Sequence, residues 1–162
     1  MKATDYLHLN EKKVADVVNA LHTLLADFQV YYTNLRGMHW NIKGHGFFVL
    51  HEKFEKMYDD TAEKIDEIAE RILMLGGVPE NRFSEYLKVA HIKEVGDLTC
   101  SHDAVENILD TYKHFIAEER KVIELANAAD DVVTADLMTG YLKEQEKMLW
   151  MLVAFSTKTC TK

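Results

Sequence analysis

Two histidines and three carboxylates in the first half of the chain have the composition of a metal site. They are His39, His51, Glu55, Asp66 and Glu70. Imidazole and carboxylate ligands with incomplete coordination suit a redox-active divalent metal such as iron(II) and leave a position for an oxidant. Oxygen-rich ligands also stabilise the iron(III) product. These residue types therefore suit a site for a redox-active divalent metal.

The spacing of the five residues divides them into two halves. Helix geometry at about 100° per residue places the four members after His39 on one flank, beside the apolar stripe of the same helix. His39 lies just before Trp40, and a short connection brings it near His51 and Glu55. Asp66 lies 15 residues beyond His51, roughly 22 Å along the helix. One chain therefore cannot place all five side chains on one metal.

A symmetric dimer brings the two halves together. When two copies pack antiparallel about a two-fold axis, the histidine half of each chain meets the Asp66–Glu70 half of the other. Two equivalent shared sites result. The spacing therefore predicts a homo-oligomer with metal sites between its subunits.

Each of these residues also has an ordinary explanation. An exposed carboxylate on a helix is common, and the same helix carries Glu52, Asp59, Asp60, Glu63 and Glu67. His39 and His51 are equally compatible with capping or with packing in the core. The residue pattern alone leaves the metal site and a solvated helix flank as alternatives.

Apolar residues at helical spacing predict four long helices that carry these side chains. The first helix runs from about Asn10 to Gly37, the second from Phe47 to Leu75, the third from about residue 101 to 126, and the fourth follows Asp130 and Asp131 and reaches Phe155. Gly76, Gly77 and Pro79 are a stop signal for the second helix, and Ser101 or Asp103 can cap the third. The segment SEYLKVA predicts a short helix in the connection between helices two and three. We predict an all-α, ferritin-like four-helix bundle, since such bundles use a long middle crossover.

Length and composition indicate one domain. The 162 residues are 48% hydrophobic and include one proline, which suits a single helical domain over 1–162 with short flexible N- and C-terminal tails. A net charge of −8 favours metal cations over nucleic acid as partners. Cys100 and Cys160 lack metal-type spacing, which predicts reduced thiols, although two cysteines can pair. With no signal-like segment and no long apolar run, we expect a soluble, cytoplasmic protein with no membrane partner.

Residues 39–77, HWNIKGHGFFVLHEKFEKMYDDTAEKIDEIAERILMLGG, resemble the signature region of the Dps (DNA-binding protein from starved cells) family of mini-ferritins. One pattern is His39-Trp40, a glycine and aromatic cluster, and His51. The second is the Asp-x-x-Ala-Glu-Arg run from Asp66 to Arg71, which ends in Leu-Gly-Gly. Both occur at the separation that the family shows, and the resemblance extends over essentially the whole chain.

This resemblance implies a ferroxidase that works as a hollow dodecamer. His39 and His51 of one subunit are expected to face Asp66 and Glu70 of its two-fold partner, with Glu55 in the same site. The implied reaction is oxidation of iron(II), preferentially by hydrogen peroxide. The iron(III) oxide is stored in the cavity, which protects the cell and its DNA from oxidative damage.

Four further residues have alternative roles under the same resemblance. Trp40 either intercepts stray oxidising equivalents or packs as a large buried residue. Asp131 and Asp136 either line an iron-entry pore on a three-fold axis or cap the fourth helix and interact with its dipole. For Asp130, capping is the preferred interpretation.

Several competing functions have weaker support. DNA condensation is an alternative function, but basic residues are sparse at both ends, with Lys2, Lys158 and Lys162 on an acidic particle. A metal site inside one bundle requires Glu-x-x-His motifs, which the sequence lacks, and HEKFE at His51 is not a zinc-protease motif. A helical interaction module without metal remains an alternative. No spacing predicts a haem or soft-metal site among Cys100, His102 and His114, or at His8, His22, His45 and His91 singly.

Overall fold

Six helices make up the regular structure of residues 3–157, the part of the chain that the computed structural model describes. They are α1 Ala3–Leu7, α2 Glu11–Asn41, α3 Phe47–Met74, α4 Phe83–Val89, α5 Ser101–Ala128 and α6 Val132–Ser156. That range contains no β-strand. The all-α prediction is therefore confirmed, including the short helix in the middle connection. The helix α1 was not predicted, and residues 158–162 of the expected C-terminal tail lie outside the described residues.

The helix α2 is longer than the sequence predicted. The Asn10 side chain caps its start by accepting from the backbone N–H groups of Lys12 at 3.0 Å and Lys13 at 3.2 Å. The predicted end at Gly37 was wrong, because the helix continues to Asn41. A glycine inside a helix costs only about 1 kcal/mol, and the burial of Met38 just beyond it offsets that cost.

The end of α3 matches the predicted glycine stop. Gly76 has a φ of +83°, a left-handed conformation that glycine adopts without strain. Its N–H donates to the Leu73 carbonyl at 3.0 Å, and the N–H of Gly77 donates to the Ile72 carbonyl at 2.9 Å. These two bonds form a Schellman motif, which satisfies the last carbonyls of the helix.

The last two long helices begin where the sequence predicted, but the residues that cap them differ in part. No side chain caps α5, whose N-cap position is Cys100, so the prediction of Ser101 or Asp103 was wrong. Asp131 caps α6 by accepting from the N–H of Thr134 at 3.1 Å. Asp130 does not cap the helix. It has a φ of +61° and an exposed side chain that pairs with Lys13 at 3.1 Å.

The four long helices pack as a bundle in which α2 contacts α3 and α5, and α5 contacts α6. Aromatic rings fill the middle of the core, where Phe28 of α2 stacks on Phe115 of α5 with ring centroids 4.2 Å apart. Polar bonds join α3 to α6, since Lys64 pairs with Glu144 at 2.7 Å. In the described part of the chain no helix is both long and apolar enough to cross a membrane.

The crossover between α4 and α5 is fastened to α2 by buried polar side chains. The Asn34 amide donates to the Lys93 carbonyl at 2.9 Å and accepts from the Val95 N–H at 3.1 Å. Asp27, about two turns earlier on the same helix, accepts from the N–H groups of His91 and Ile92. These bonds satisfy the backbone of a segment that has no helix of its own.

Candidate metal centre

His39 and His51 lie face to face where α2 ends and α3 begins. Their imidazole rings stack with centroids 3.7 Å apart and an interplanar angle of 20°. His39 is buried and His51 is half-buried. The short connection between the two helices therefore brings His39 and His51 together, as the spacing predicted.

Reciprocal hydrogen bonds fix the orientation of the two imidazoles. Nδ1 of His39 lies 2.7 Å from the His51 carbonyl oxygen, and Nδ1 of His51 lies 2.8 Å from the His39 carbonyl oxygen. A carbonyl only accepts, so each Nδ1 carries the hydrogen and donates it. In the neutral imidazole this leaves the Nε2 lone pair for a metal. Metal-ligating histidines are usually oriented in this way, by a hydrogen bond from the ring nitrogen that does not bind the metal.

Aromatic neighbours enclose the histidine pair. The Tyr58 ring meets His39 edge-on with centroids 5.4 Å apart, and the Phe47 ring stacks on His51 at 5.0 Å. Trp40, which follows His39, is 63% exposed in the single chain, so it does not pack in the core of its own subunit. The Arg36 guanidinium lies 4.7 Å from the centroid of the Trp40 ring.

The three predicted carboxylates lie on α3 as exposed side chains. Glu55, Asp66 and Glu70 take part in no hydrogen bond or ion pair within residues 3–157. Other carboxylates of the same helix are engaged: Glu52 binds Lys56, Asp60 binds Lys64, and Glu67 accepts from the Tyr141 hydroxyl. Asp59 and Glu63 resemble the predicted three in being exposed, so the lack of a partner does not by itself mark a ligand.

The five predicted residues do not gather within one chain. In the described range, the group of metal-ligating side chains whose ligand atoms all lie within 4.8 Å consists of Asp27, His91 and His114 instead. This arrangement agrees with the sequence argument that one chain cannot place all five residues on one metal. The cluster at Asp27 was not predicted, because its members are 64 and 87 residues from Asp27 along the chain and no local motif joins them.

Asp131 has a structural role inside the chain. Its carboxylate is buried and pairs with the Arg71 guanidinium at 2.5 Å, in addition to capping α6. Arg71 also donates from Nε to the Thr134 hydroxyl at 2.8 Å. Of the two aspartates considered for a pore, only Asp136 has an exposed side chain. Capping is therefore the role that the structure supports for Asp131.

The bundle interior contains an acidic residue that is not part of the predicted site. Glu119 of α5 is fully buried, and burial raises the pKa of its carboxyl from the ordinary 4.5 to about 8. One carboxyl oxygen accepts from the Gln145 amide at 2.6 Å, and the other has no partner. A single such carboxyl supplies too few ligands for a metal inside the bundle, in agreement with the absence of Glu-x-x-His motifs.

Two other groups considered in the sequence are on the surface. Cys100 is a free, exposed thiol, and Cys160 lies outside the described residues. His102 is exposed and lies 3.6 Å from Glu106. Within the described residues, neither Cys100 nor His102 belongs to a group of side chains that could bind haem or a soft metal.

Comparison with known proteins gives a consistent family. A ferritin-like domain model matches residues 18–160. A DNA protection during starvation protein from Porphyromonas gingivalis is 59% identical over 157 residues, covering 97% of this chain and 99% of that relative. The crystal structure of a Dps protein from Vibrio cholerae, described as a ferritin-like diiron-carboxylate protein, is 44% identical and superposes with a TM-score of 0.90 over 92% of this chain and 94% of the other. A Dps protein from Bacillus brevis gives a TM-score of 0.87 at 34% identity, covering 90% and 98%.

Proposed function

Because this chain belongs to the Dps family of ferritin-like proteins, we propose that it oxidises iron(II) and stores the iron(III) oxide in a hollow dodecamer. Membership of this family supports iron storage and stress protection as the general function. Hydrogen peroxide is the proposed oxidant. Each peroxide accepts two electrons, one from each of two iron(II) ions, together with two protons from solvent, and leaves as two water molecules. Removing both reactants together limits the formation of hydroxyl radicals.

The pair formed by His39 and His51 is the observation that carries this proposal. Both Nδ1 atoms donate to backbone carbonyls in a stacked pair of rings, so the Nε2 lone pair of each histidine is available to a metal. Two neutral imidazoles bind iron(II) without requiring it to become iron(III), while carboxylate oxygens favour the oxidised product. The proposed site thus contains ligands suited to both oxidation states.

Each subunit supplies one half of the proposed site. His39, His51 and Glu55 bind and orient iron(II) at one end of α3. Asp66 and Glu70 of the partner subunit are proposed to complete the coordination. Within residues 3–157 of one chain these exposed carboxylates form no hydrogen bond or ion pair, so they are available to a shared ion. The net charge of −8 per chain attracts cations to the particle. Proteins of this family are homo-oligomers. For this chain we propose a dodecamer with iron(II) and hydrogen peroxide as substrates.

Substitution of both histidines tests the proposal. We expect His39→Ala combined with His51→Ala to lose the catalysed oxidation of iron(II) by peroxide, on the order of 10- to 100-fold in rate. The matched control is His45→Ala with His102→Ala, which removes two exposed histidines elsewhere and should retain the parental rate. Native mass spectrometry of both variants reports assembly, with about twelve times the chain mass expected. A doubly substituted particle that oxidises iron(II) at the parental rate contradicts the assignment.

DNA condensation is the second candidate, because several relatives are named for DNA protection during starvation. The charge of −8 opposes binding to phosphates. We expect a gel shift at physiological salt to show weak or no retention of DNA. Tight retention that does not depend on magnesium would show that the protein binds DNA as a second function.

A further inference from the structure

We propose that Asp27, His91 and His114 form a second metal site, specific for a divalent transition metal and contained within one chain. This site is separate from the shared iron site. It joins α2, the crossover and α5, which supply one ligand each. The proposal does not depend on the function of the shared site.

The distances from Asp27 to the two imidazoles suit coordination of a single ion, and all three ligand atoms lie within 4.8 Å of one another. Oδ2 of Asp27 lies 2.8 Å from Nε2 of His114 and 3.6 Å from Nδ1 of His91. Metal–ligand bonds of about 2.1 Å place two ligand atoms about 3.0 Å apart at a right angle and about 3.4 Å apart at the tetrahedral angle. Small rotations of the imidazoles are therefore enough to seat the ion.

The carboxylate of Asp27 is already oriented for this role. Its side chain is fully buried, and Oδ1 accepts from the backbone N–H groups of His91 at 2.6 Å and Ile92 at 2.9 Å. These bonds hold Oδ2 toward the two imidazoles. A buried carboxylate requires a positive partner nearby, and an ion on Oδ2 supplies more charge than the hydrogen bond from His114.

The site is open to solvent on the histidine side. The side chain of His91 is 59% exposed and that of His114 is 24% exposed, so an ion can enter without opening the bundle. Two imidazoles and one carboxylate select zinc(II), cobalt(II) or iron(II) over calcium and magnesium, which prefer oxygen ligands, and water fills the remaining positions. On binding, His114 changes tautomer: its Nε2 proton, donated to Asp27 in the empty site, leaves to solvent, Nδ1 takes up a proton from solvent, and the Nε2 lone pair binds the metal.

Metal binding here fastens the crossover to the bundle. The three ligands come from separate parts of the chain, so binding favours the folded state over the unfolded chain, in which no preformed site exists. One subunit supplies every ligand, and the stoichiometry is therefore one ion per chain in any state of assembly.

Cobalt(II) and zinc(II) titrations of the assembled, chelator-treated protein test the proposal. The His39→Ala and His51→Ala substitutions serve as the background, because they disable the shared site. In this background we expect cobalt(II) to give visible d–d absorption that saturates at one cobalt ion per chain. Zinc(II) should displace the bound cobalt(II) and remove the absorption. Adding His91→Ala, a change at an exposed side chain, should abolish this binding, whereas adding His102→Ala should leave it intact.

Thermal unfolding gives a second readout. We expect zinc(II) to raise the Tm of the background protein and of its His102→Ala derivative, and this rise to be lost in the His91→Ala derivative. Ions held weakly by Asp66 and Glu70 contribute equally to all three proteins and cancel in the comparison. Equal metal stoichiometry and equal Tm shifts with and without His91 would overturn the proposal and leave the Asp27–His114 contact as a structural hydrogen bond.

Discussion

Glu119 places an ionisable carboxyl where the bundle has no solvent to stabilise its charge. The pKa of about 8 means that the folded protein binds this proton more tightly than the unfolded chain, whose carboxyl has the ordinary pKa of 4.5. Glu119 therefore does not lower the free energy of unfolding below about pH 4.5, where it is protonated in both states. Its destabilising effect grows as the pH rises toward 8. Glu119 is a built-in cost of the fold at neutral and alkaline pH.

Replacing this carboxyl with an amide should stabilise the protein. We expect Glu119→Gln to keep an acceptor for Gln145 and to raise the free energy of unfolding by about 2 kcal/mol near pH 8, with little gain near pH 5. Thermal unfolding across that pH range measures the difference in Tm between variant and parent. The control is Glu124→Gln, an exposed position on the same helix. A Tm difference that does not grow with pH would show that the buried carboxyl is not the cause.

The histidines differ in how far the sequence could predict them. His39 and His51 lie on either side of one short connection, so spacing alone could bring them together, and they stack as expected. His91 and His114 have no local motif, because they meet only when the crossover folds back onto Asp27. Side chains whose contact depends on a long-range fold leave no periodic signal in the sequence.

At the level of single elements, the start of α6 depends on a buried ion pair. Asp131 accepts from the Thr134 N–H at the helix N-terminus and from the Arg71 guanidinium of α3. Its second oxygen accepts from the Thr134 hydroxyl at 2.5 Å. The three side chains are buried together, so removing one partner leaves the others without their hydrogen bonds.

Loss of this aspartate should destabilise the bundle strongly. We expect Asp131→Ala to cost about 3–5 kcal/mol, since an uncompensated guanidinium stays buried and the helix loses its cap. Denaturant unfolding measures this cost. Asp136→Ala is the matched control, because that aspartate lies exposed in the same helix, and we expect a change within about 0.5 kcal/mol. If the two variants unfolded alike, the buried pair would not be important for stability.

The glycines that end α3 show a second constraint on an element. A Cβ atom on Gly77 would lie 2.8 Å from Cγ2 of Ile72 and 2.9 Å from Cγ1 of Val18. Both neighbours are branched side chains packed in or against the core. Gly77 therefore allows α3 and α2 to approach closely at the turn.

An added methyl group at this position should be unfavourable. We expect Gly77→Ala to lower the free energy of unfolding by about 1–3 kcal/mol through overpacking. Gly140 lies inside α6, where a Cβ atom would meet nothing within 4 Å, so Gly140→Ala should be neutral or stabilising by up to about 1 kcal/mol. Denaturant midpoints of the two variants give the comparison. A stabilised Gly77→Ala protein would contradict the close packing at this turn.

Helix boundaries could be predicted where local chemistry determines them. Gly76 requires a left-handed conformation, and the predicted end of α3 is confirmed within one residue. At Gly37 the same type of signal failed, because burial of the following residues continues the helix. At Asp131 the cap could not be distinguished from a pore residue, because its partner Arg71 comes from another helix.

At the scale of the whole molecule, large apolar side chains remain exposed on the single chain near the start of α3 and the end of α6. They are Phe48, Val49, Trp150, Met151, Val153 and Phe155. Val49, Met151 and Phe155 line one surface groove, and monomeric proteins rarely expose large contiguous apolar patches. Family membership and this surface both favour a homo-oligomer, and the proposed iron site requires one.

Subunit mixing tests whether the iron site is shared. One variant carries His39→Ala and His51→Ala, and the other carries Asp66→Ala and Glu70→Ala, so each alone lacks one half of every site. In a mixed dimer one of the two sites combines intact histidines with intact carboxylates from the other chain. Random pairing after co-expression should therefore restore about one quarter of the parental rate of iron(II) oxidation.

The arrangement of the two halves makes this recovery specific. Co-expression of a His39→Ala chain with a His51→Ala chain is the matched control, since both histidines of a site come from one subunit and no pairing restores them. We expect activity in the first mixture and none in the control, with the same native mass for both particles. No recovery in the first mixture, at the parental native mass, would rule out sites that are divided between subunits. Recovery in the control would instead show that His39 and His51 act in different sites, which would contradict the stacked pair as the metal-binding unit.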